Sequence, residues 1–486
     1  MHKKIIIIGS GFSSLSAASY LAKAGNEVHL YEKNSTLGGR ARQLKRDGFT
    51  FDMGPSWYWM PDIFEKFFGD FGKKVSDYYS LEKLDPAYHV WFADEIVTIG
   101  DTLDKIAIEF ERIEPGSSPA LKKFIKEAGV NYDIAINDVV NKPGLSPFEL
   151  VTPETAVRVA QFFKTISDDV RKAFKNEKLV SILEFPVLFL GAKPDKTPAF
   201  YRFMNYADFG LGTWHPKGGM HSVIQGMISL AESLGVTMHT DAGASKIIVE
   251  NGVTKGIVVN GETINADIVV SGADYHHTET LLDPAHRQYS EKYWDSRVFA
   301  PSSLLFYVGF DKKFDKVAHH NLFFDTDFNE HARTIYDDLA WPKEPLFYAN
   351  FPSISDDTMA PAGKENGFFL IPIAPGVEDT QALRDKYFDI IMERLERLSG
   401  QDFRSHILFN ESFCVKDFIS EYNSFKGNAY GMANTLKQTA FLRPNLRSKK
   451  VKNLYFTGQL TVPGPGVPPA LISGKLTSQL IAKIKS

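Results

Sequence analysis

The stretch from Lys3 to Arg40, KKIIIIGSGFSSLSAASYLAKAGNEVHLYEKNSTLGGR, decides the fold of this chain. It begins with a short apolar run, Ile5 to Ile8, of the kind that forms a strand covered on both faces. A helix rich in Ala, Leu and Ser follows from Phe12 to Ala24 and ends at a glycine. A second apolar strand, Val28 to Tyr31, then leads to Glu32. The stretch therefore predicts one βαβ unit.

The glycine turn of this unit predicts a site for an ADP moiety. Gly9 permits the tight turn, and Gly11 lets the backbone approach a pyrophosphate at the helix N-terminus. Glu32 lies 21 positions after Gly11, where a carboxylate accepts the hydroxyl hydrogens of a ribose. Ser14 replaces the third glycine of the usual pattern, so helix and strand either pack further apart or bury a hydroxyl. A glycine turn in an unrelated α/β protein is the alternative interpretation.

A second glycine pair favours FAD over NAD as the cofactor. Gly38, Gly39 and Arg40 follow Glu32, and the run Phe51 to Ser56, FDMGPS, comes soon after. Two glycines let the chain pass beneath a ligand, and an arginine can bind phosphate oxygens through two hydrogen bonds. Nicotinamide dehydrogenases do not need this pattern here. Taken alone, Arg40 is better explained as an ordinary surface arginine.

Composition excludes several classes of function. The 486 residues predict two or three domains. With 55 basic and 59 acidic residues the net charge is −4, so we expect no nucleic-acid partner. The single cysteine, Cys414, excludes an intramolecular disulfide framework and is typical of a reducing compartment. No apolar run has the length of a membrane span or of a signal-peptide core, which predicts a cytoplasmic protein.

The order of strand and helix patterns predicts a mixed α/β (α+β) fold with two domains. We expect a Rossmann-like FAD-binding domain built from discontinuous segments and a substrate domain of sheet and helices. The predicted boundaries are 1–75, 215–290 and 440–486 for the FAD-binding domain, and 76–214 and 291–439 for the substrate domain, whose helical lobe covers 101–185.

The helical lobe contains a candidate membrane-facing portion. Residues 157–185 predict a long helix that places phenylalanines at roughly helical spacing, with lysines and arginines between them. Such a helix can lie on an anionic bilayer with its rings among the acyl chains. Alternatively, it packs its apolar face on the domain and exposes its charges to solvent. Asp168 and Asp169 weaken the membrane interpretation.

No catalytic side chain or metal site is evident from the motifs. His276-His277 and His319-His320 are the only pairs of adjacent histidines, and adjacent side chains point in different directions. Neither GxSxG nor HExxH occurs. We therefore expect the chemistry to come from the cofactor.

Taken together, the motifs resemble the bacterial and fungal type of phytoene desaturase, a group within the flavin amine oxidoreductase class. The resemblance rests on the N-terminal GSGFSS with Glu32 and on LGGRAR, FDMGPSWYWMP, TWHPKGGMHSVIQGM, AHHNLFF and NLYFTGQLTVPGPGVPPALISG, in the same order along nearly the whole chain. It implies an FAD-dependent oxidoreductase acting on CH–CH groups of a hydrophobic carotenoid, at a membrane surface, with a quinone or oxygen as electron acceptor. Stepwise conversion of phytoene to lycopene is the leading expectation. Similar proteins instead desaturate or isomerise a later carotenoid, for example by 3,4-desaturation of a hydroxycarotenoid.

The resemblance also implies which residues contact FAD. Gly9, Ser10, Gly11, Ser13 and Ser14 would hold the pyrophosphate, Glu32 the adenosine ribose, Gly39 and Arg40 the phosphates and the approach to the ring, and Ala244 the adenine. Gly458, Gln459, Val467, Pro468, Pro469 and Ala470 would border the ribityl chain and the isoalloxazine, and Phe12, Lys33, Gly54, Pro55 and Ser56 complete the predicted cofactor site. An acidic residue often stands at the position of Gln459 in the wider class.

Two rival hypotheses come from other functional classes. The same fold resembles GDP-dissociation inhibitors and prenyl-transferase escort proteins, which are carriers without flavin. The intact glycine turn, Glu32 and Gly38-Gly39-Arg40 argue against a carrier. A soluble amine oxidase would produce peroxide from amines and would not need lipid.

Overall fold

The computed structural model describes residues 2–150, 158–435 and 437–483. The strands β1 to β19 span, in chain order, Lys4–Ile8, Glu27–Tyr31, Gln43–Arg46, Phe49–Asp52, Leu81–Lys83, Tyr88–Trp91, Ile96–Ile99, Trp214–Pro216, Thr237–His239, Ala244–Glu250, Val253–Val259, Glu262–Asn265, Ile268–Ser271, Ser302–Phe310, His320–Phe323, Phe347–Asn350, Glu365–Ile373, Ile407–Phe413 and Leu454–Phe456. The helices α1 to α15 span Phe12–Lys23, Pro61–Gly69, Leu103–Ile113, Ser117–Asn137, Val159–Phe162, Ile166–Ala173, Glu177–Glu184, Phe203–Asn205, His221–Ser233, Tyr275–Thr280, Glu291–Asp295, Phe328–Tyr336, Gln381–Ser399, Val415–Tyr422 and Val467–Ala482.

The first sheet is parallel and takes its strands from three separated parts of the chain. Its order is β19-β13-β1-β2-β9, with β1 in the centre. Ile5, Ile6 and Ile7 are fully buried because both faces of β1 are covered. The strands β1, β2, β13 and β19 all end at one edge of the sheet, which is where ligands bind in open parallel sheets. The predicted α/β fold is confirmed, whereas the domain boundaries stay a prediction.

The second sheet has seven strands in the order β18-β14-β17-β16-β15-β6-β7. It joins strands from residues 88–99 with strands from residues 302–413, so both excursions from the parallel sheet meet in one layer. All neighbours are antiparallel except β6 and β15. Leu322, Tyr348 and Leu370 lie side by side on β15, β16 and β17. This row forms part of the wall of the cavity described below.

The prediction of one long helix over residues 157–185 is wrong, because the described part of this segment forms three short helices. Two side-chain caps divide the segment into α5, α6 and α7: Thr165 accepts a hydrogen bond from Asp168 N, and Asn176 accepts one from Lys178 N. Ile166, Val170 and Phe174 are fully buried in the protein core. Most of the apolar face therefore packs inward. Residues 151–157, which include the start of the predicted helix, lie outside the described residues.

Ser14 is packed between the first helix and the parallel sheet. Its side chain is fully buried, and its hydroxyl has no hydrogen-bond partner among the described residues. A Cβ added to Gly272, at the end of β13, would overlap with Ser14 Oγ but would stand 3.3 Å from Ser14 Cβ. Of the two outcomes expected from the missing third glycine, the chain thus buries the hydroxyl, and it does so against a glycine.

We expect Gly272→Ala to lower the free energy of unfolding by about 1–3 kcal/mol, because the new methyl group overlaps with Ser14 Oγ. In a Ser14→Ala background the same methyl group meets only the Cβ of residue 14 and Thr457 Cγ2, each at 3.3 Å, and costs less, so the two changes couple. Ser14→Ala alone is expected to be neutral or stabilising, since it removes an unpaired buried hydroxyl. Urea denaturation of the four proteins measures the coupling, and an equal cost of Gly272→Ala in both backgrounds would contradict it.

Candidate functional site

A cavity of about 710 Å³ runs from the edge of the parallel sheet to the wall formed by the seven-stranded sheet. One end is lined by backbone and polar groups that follow β1, β2, β13 and β19. The other end is lined by apolar and aromatic side chains, among them Trp57, Trp59, Phe185, Phe324 and Leu346. The cavity therefore joins a polar compartment to a hydrocarbon-like compartment.

The turn after β1 has the geometry of a phosphate-binding loop. Gly9 has a φ of +89° and donates its N–H to Tyr31 O at 2.8 Å. At Gly11 an added Cβ would meet no atom within 4 Å, so this side of the turn is open. Gly39 has a φ of +58°, and a Cβ there would stand 3.2 Å from Gly11 Cα. The two glycine segments thus lie against each other at the mouth of α1, where an anion meets free N–H groups.

The Glu32 carboxylate is held in place at the end of β2. It accepts hydrogen bonds from Ser10 N at 3.1 Å, from Ser10 Oγ at 2.6 Å and from Asn34 N at 2.9 Å. The side chain is buried but lines the cavity. Because a carboxylate has about four acceptor positions, it can still accept a hydrogen bond from a ligand hydroxyl.

Arg40 supplies a buried positive charge to the polar compartment. Its guanidinium bonds Ser424 Oγ, while its Nε has no partner among the described residues. Burial lowers the pKa of Arg40, and the nearby Asp274 carboxylate partly offsets this. With the Gln459 amide oxygen directed toward it, Arg40 Nη2 also donates to that oxygen at 3.2 Å. A buried cation with an unused donor suits a pyrophosphate, so these residues fit the nucleotide half of FAD.

All the predicted cofactor residues except Ser14 line this cavity, from Gly9 in the first turn to Ala470 in the first turn of α15. The prediction for Ser14 needs correcting, because its hydroxyl faces Gly272 behind the turn and Ser14 does not line the cavity. Contact of the other residues with FAD stays a prediction.

The sequence interpretation missed several residues of the site. Asp274 lines the cavity beside Arg40, and burial raises the pKa of its carboxyl. Its position just after the buried strand β13 was the available signal, since polar groups at that edge face the ligand. Tyr348 also lines the cavity, but a tyrosine inside a strand gives no such signal. Among the described residues, no three His, Cys, Asp or Glu side chains gather as a metal-binding group.

Comparison with known proteins identifies the family. A model of the flavin containing amine oxidoreductases matches residues 12–482. The chain belongs to this family. It is 43% identical to a carotenoid 3,4-desaturase of Haloarcula japonica, over 98% of this chain and 97% of that protein. It is 31% identical to a zeta-carotene-forming phytoene desaturase of Myxococcus xanthus, over 98% of this chain and 93% of that protein.

The solved structures support the same fold. An oxidoreductase from Methanosarcina mazei superimposes with a TM-score of 0.64 over 99% of this chain and 100% of that one, at 17% identity. Within the family these relatives are carotenoid desaturases, and the family's cofactor is FAD. The expected family and cofactor are thereby confirmed, and an oxidoreductase is favoured over a carrier.

We expect Glu32→Gln to weaken FAD binding about ten- to a hundredfold, because hydrogen bonds to a charged group contribute roughly 1.5–3 kcal/mol. Flavin fluorescence quenching by the FAD-free protein measures the dissociation constant. Glu27→Gln is the matched control, since Glu27 begins the same strand with an exposed side chain. Equal affinities of the two variants would contradict a ribose contact by Glu32.

Proposed function

We propose that this protein removes two hydrogens from adjacent carbons of a carotenoid, and that its preferred reaction is 3,4-desaturation of a later, hydroxylated carotenoid. The observation that carries the proposal is the single cavity that joins the nucleotide compartment to an apolar compartment. A long hydrocarbon placed in the second compartment reaches the end of the first. The 43% identity to a carotenoid 3,4-desaturase, against 31% to a phytoene desaturase, supports the choice of reaction.

The chain's own residues would hold and orient the reactants. Glu32, Arg40 and the glycine turns would bind the nucleotide half of FAD, and the first turn of α15 would border its ring. When bound, the flavin supplies the oxidising chemistry by accepting a hydride from a substrate carbon. The aromatic wall excludes water and orients the polyene, which is how such a site contributes to rate. A quinone or oxygen would take up the electrons.

Stepwise conversion of phytoene to lycopene is the second candidate. It is supported by the phytoene desaturase among the relatives and by the apolar lining, which accepts a hydrocarbon without hydroxyl groups. The motifs shared with that group lie on the flavin side of the cavity. They support desaturation without selecting the carbon atoms that react.

The experiment supplies the purified, FAD-loaded protein with phytoene or with a hydroxylated later carotenoid in lipid vesicles. We expect the later carotenoid to be consumed, with its absorption moving to longer wavelength as conjugation extends, and phytoene to remain. Chromatography of the pigments measures both.

Consumption of phytoene instead would favour the second candidate. Failure with both carotenoids, combined with peroxide production from amines, would overturn carotenoid desaturation and favour an amine oxidase.

We also propose that the cavity opens toward a membrane surface. Several residues within 139–149 and 439–442 line the cavity with partly exposed groups, including Lys142, Ser146 and Leu442. Phe148 belongs to the first of these segments and is 81% exposed, and Phe163, which follows the cavity-lining Phe162, is 83% exposed. Exposed aromatic side chains beside an entrance are typical of contact with lipid, in which a carotenoid dissolves. Among the described residues, no helix is long and apolar enough to cross a bilayer.

We expect the double substitution Phe148→Asp and Phe163→Asp to reduce binding to vesicles about tenfold or more, because charged groups replace rings that enter the lipid. Flotation with vesicles containing anionic lipid measures the bound fraction. Leu408→Asp is the matched control, because Leu408 is 49% exposed on β18 and its strand neighbours do not line the cavity. Equal binding of both variants would contradict a lipid contact at this entrance.

A further inference from the structure

A chain of hydrogen bonds leads from the cavity wall into the protein core. Ser56 Oγ lies 2.9 Å from the Tyr348 hydroxyl, and both residues line the cavity. On its other side the Tyr348 hydroxyl lies 2.6 Å from His320 Nδ1. Ser56 directly follows Gly54 and Pro55, which line the same cavity. A hydroxyl backed by an imidazole is the usual arrangement for moving a proton.

The neighbours of His320 assign its tautomer. Asn350 Nδ2 lies 3.2 Å from the same Nδ1 and also donates to His319 O at 2.9 Å. An amide nitrogen can only donate, so Nδ1 is an acceptor and the ring hydrogen lies on Nε2. The Tyr348 hydroxyl therefore donates to His320. Tyr348 keeps its own oxygen lone pairs for Ser56 and for a group in the cavity.

In the resting protein the surroundings favour the neutral form of His320. Its ring is fully buried and stacks on Trp57 with centroids 4.1 Å apart. Burial lowers the pKa of His320 well below its usual value, and His215 adds to the effect. The His319 ring stands edge-on to the His320 ring, with centroids 4.4 Å apart. His215 Nε2 in turn lies 2.9 Å from Asp356 Oδ2. The Nε2 atom of His320 has no hydrogen-bond partner among the described residues. A buried polar atom left unpaired is costly, and such atoms are often found where a residue has a catalytic role.

We propose that Tyr348 is the catalytic residue that accepts the substrate proton during desaturation, with His320 as the positioning residue that receives the Tyr348 hydroxyl proton. The inference rests on the proposed carotenoid desaturation. Loss of a hydride leaves a positive carbon in an apolar cavity, and the neighbouring C–H must then release a proton. Within the polar chain, Tyr348 is the hydroxyl that both lines the cavity and contacts an imidazole.

The step balances in atoms and charge. One substrate carbon gives up its hydrogen together with the electron pair of the C–H bond, a hydride that FAD would accept when bound. On the neighbouring carbon the C–H bond breaks, its electron pair forms the new C=C bond, and the proton passes to Tyr348 Oη. The original Tyr348 hydroxyl proton moves to His320 Nδ1, which leaves an imidazolium. The quinone or oxygen that reoxidises the cofactor would take the two electrons and the hydride's hydrogen. The imidazolium returns its proton to Tyr348, and the extra proton then leaves Tyr348 Oη through the cavity to the reduced acceptor or to water.

The first test replaces Tyr348 by Phe and measures one anaerobic turnover with carotenoid in vesicles. The rate constant should fall about a hundredfold or more, as expected for a lost proton acceptor. FAD content and the dissociation constant of the carotenoid, followed by tryptophan fluorescence, should not change. Tyr307→Phe is the matched control, since its hydroxyl donates to Met53 O at 2.9 Å in the same sheet without lining the cavity.

An unchanged rate in Tyr348→Phe would overturn the proposal. A slower rate accompanied by an equal loss of carotenoid binding would also overturn it, because Tyr348 would then only bind. Both outcomes require that the wild-type protein desaturates the carotenoid under the same conditions. Failure of the wild type itself with every carotenoid would instead overturn the proposed function.

The second test separates a proton-accepting His320 from one that only fills space. His320→Ala leaves room for a small ring beside Trp57. Added imidazole should restore part of the lost rate, whereas pyrazole, a ring of the same shape and far lower basicity, should not. Equal rescue by both rings, or rescue by neither, would overturn the role assigned to His320.

Discussion

The close contact between the first and the last helix holds the site together. Gly474 of α15 lies against α1, where a Cβ would stand 2.6 Å from Ser16 Cβ and 2.7 Å from Ala17 N. Ser16 Oγ donates to Leu471 O at 2.7 Å across the same contact. A larger residue at Gly474 would separate the two helices. Because the turn before α1 and the first turn of α15 line the two ends of the polar compartment, their distance sets its size.

The cavity places polar chemistry within an apolar enclosure. Two polar residues at its wall are held by hydrogen bonds from behind: Glu32 by Ser10 and Asn34, and Tyr348 by His320. Buried polar groups need such partners because the interior does not replace the hydrogen bonds of water. The partners also hold each side chain in one orientation.

Local capping explains why the apolar period of residues 158–185 misled the prediction of one helix. Phenylalanines at helical spacing are compatible with a single amphipathic helix. Thr165 and Asn176, however, each offer a side-chain acceptor to the backbone N–H groups that follow, and each begins a new helix. The resulting short helices pack Ile166, Val170 and Phe174 inward and leave Phe163 exposed. The capping residues Thr165 and Asn176 therefore indicated the helix boundaries, which the apolar period alone did not show.

The βαβ unit, the glycine turns and the place of Glu32 follow from local sequence alone, because they depend on neighbours within about forty residues of the chain. It also indicated the cofactor and the family, through motifs that keep their order. The contact of Ser14 with Gly272 and the place of Asp274 beside Arg40 could not be predicted in this way. The same is true of the line from Tyr348 to His320 and Asn350. These contacts join residues up to hundreds of positions apart, and packing rather than local sequence sets which of them meet.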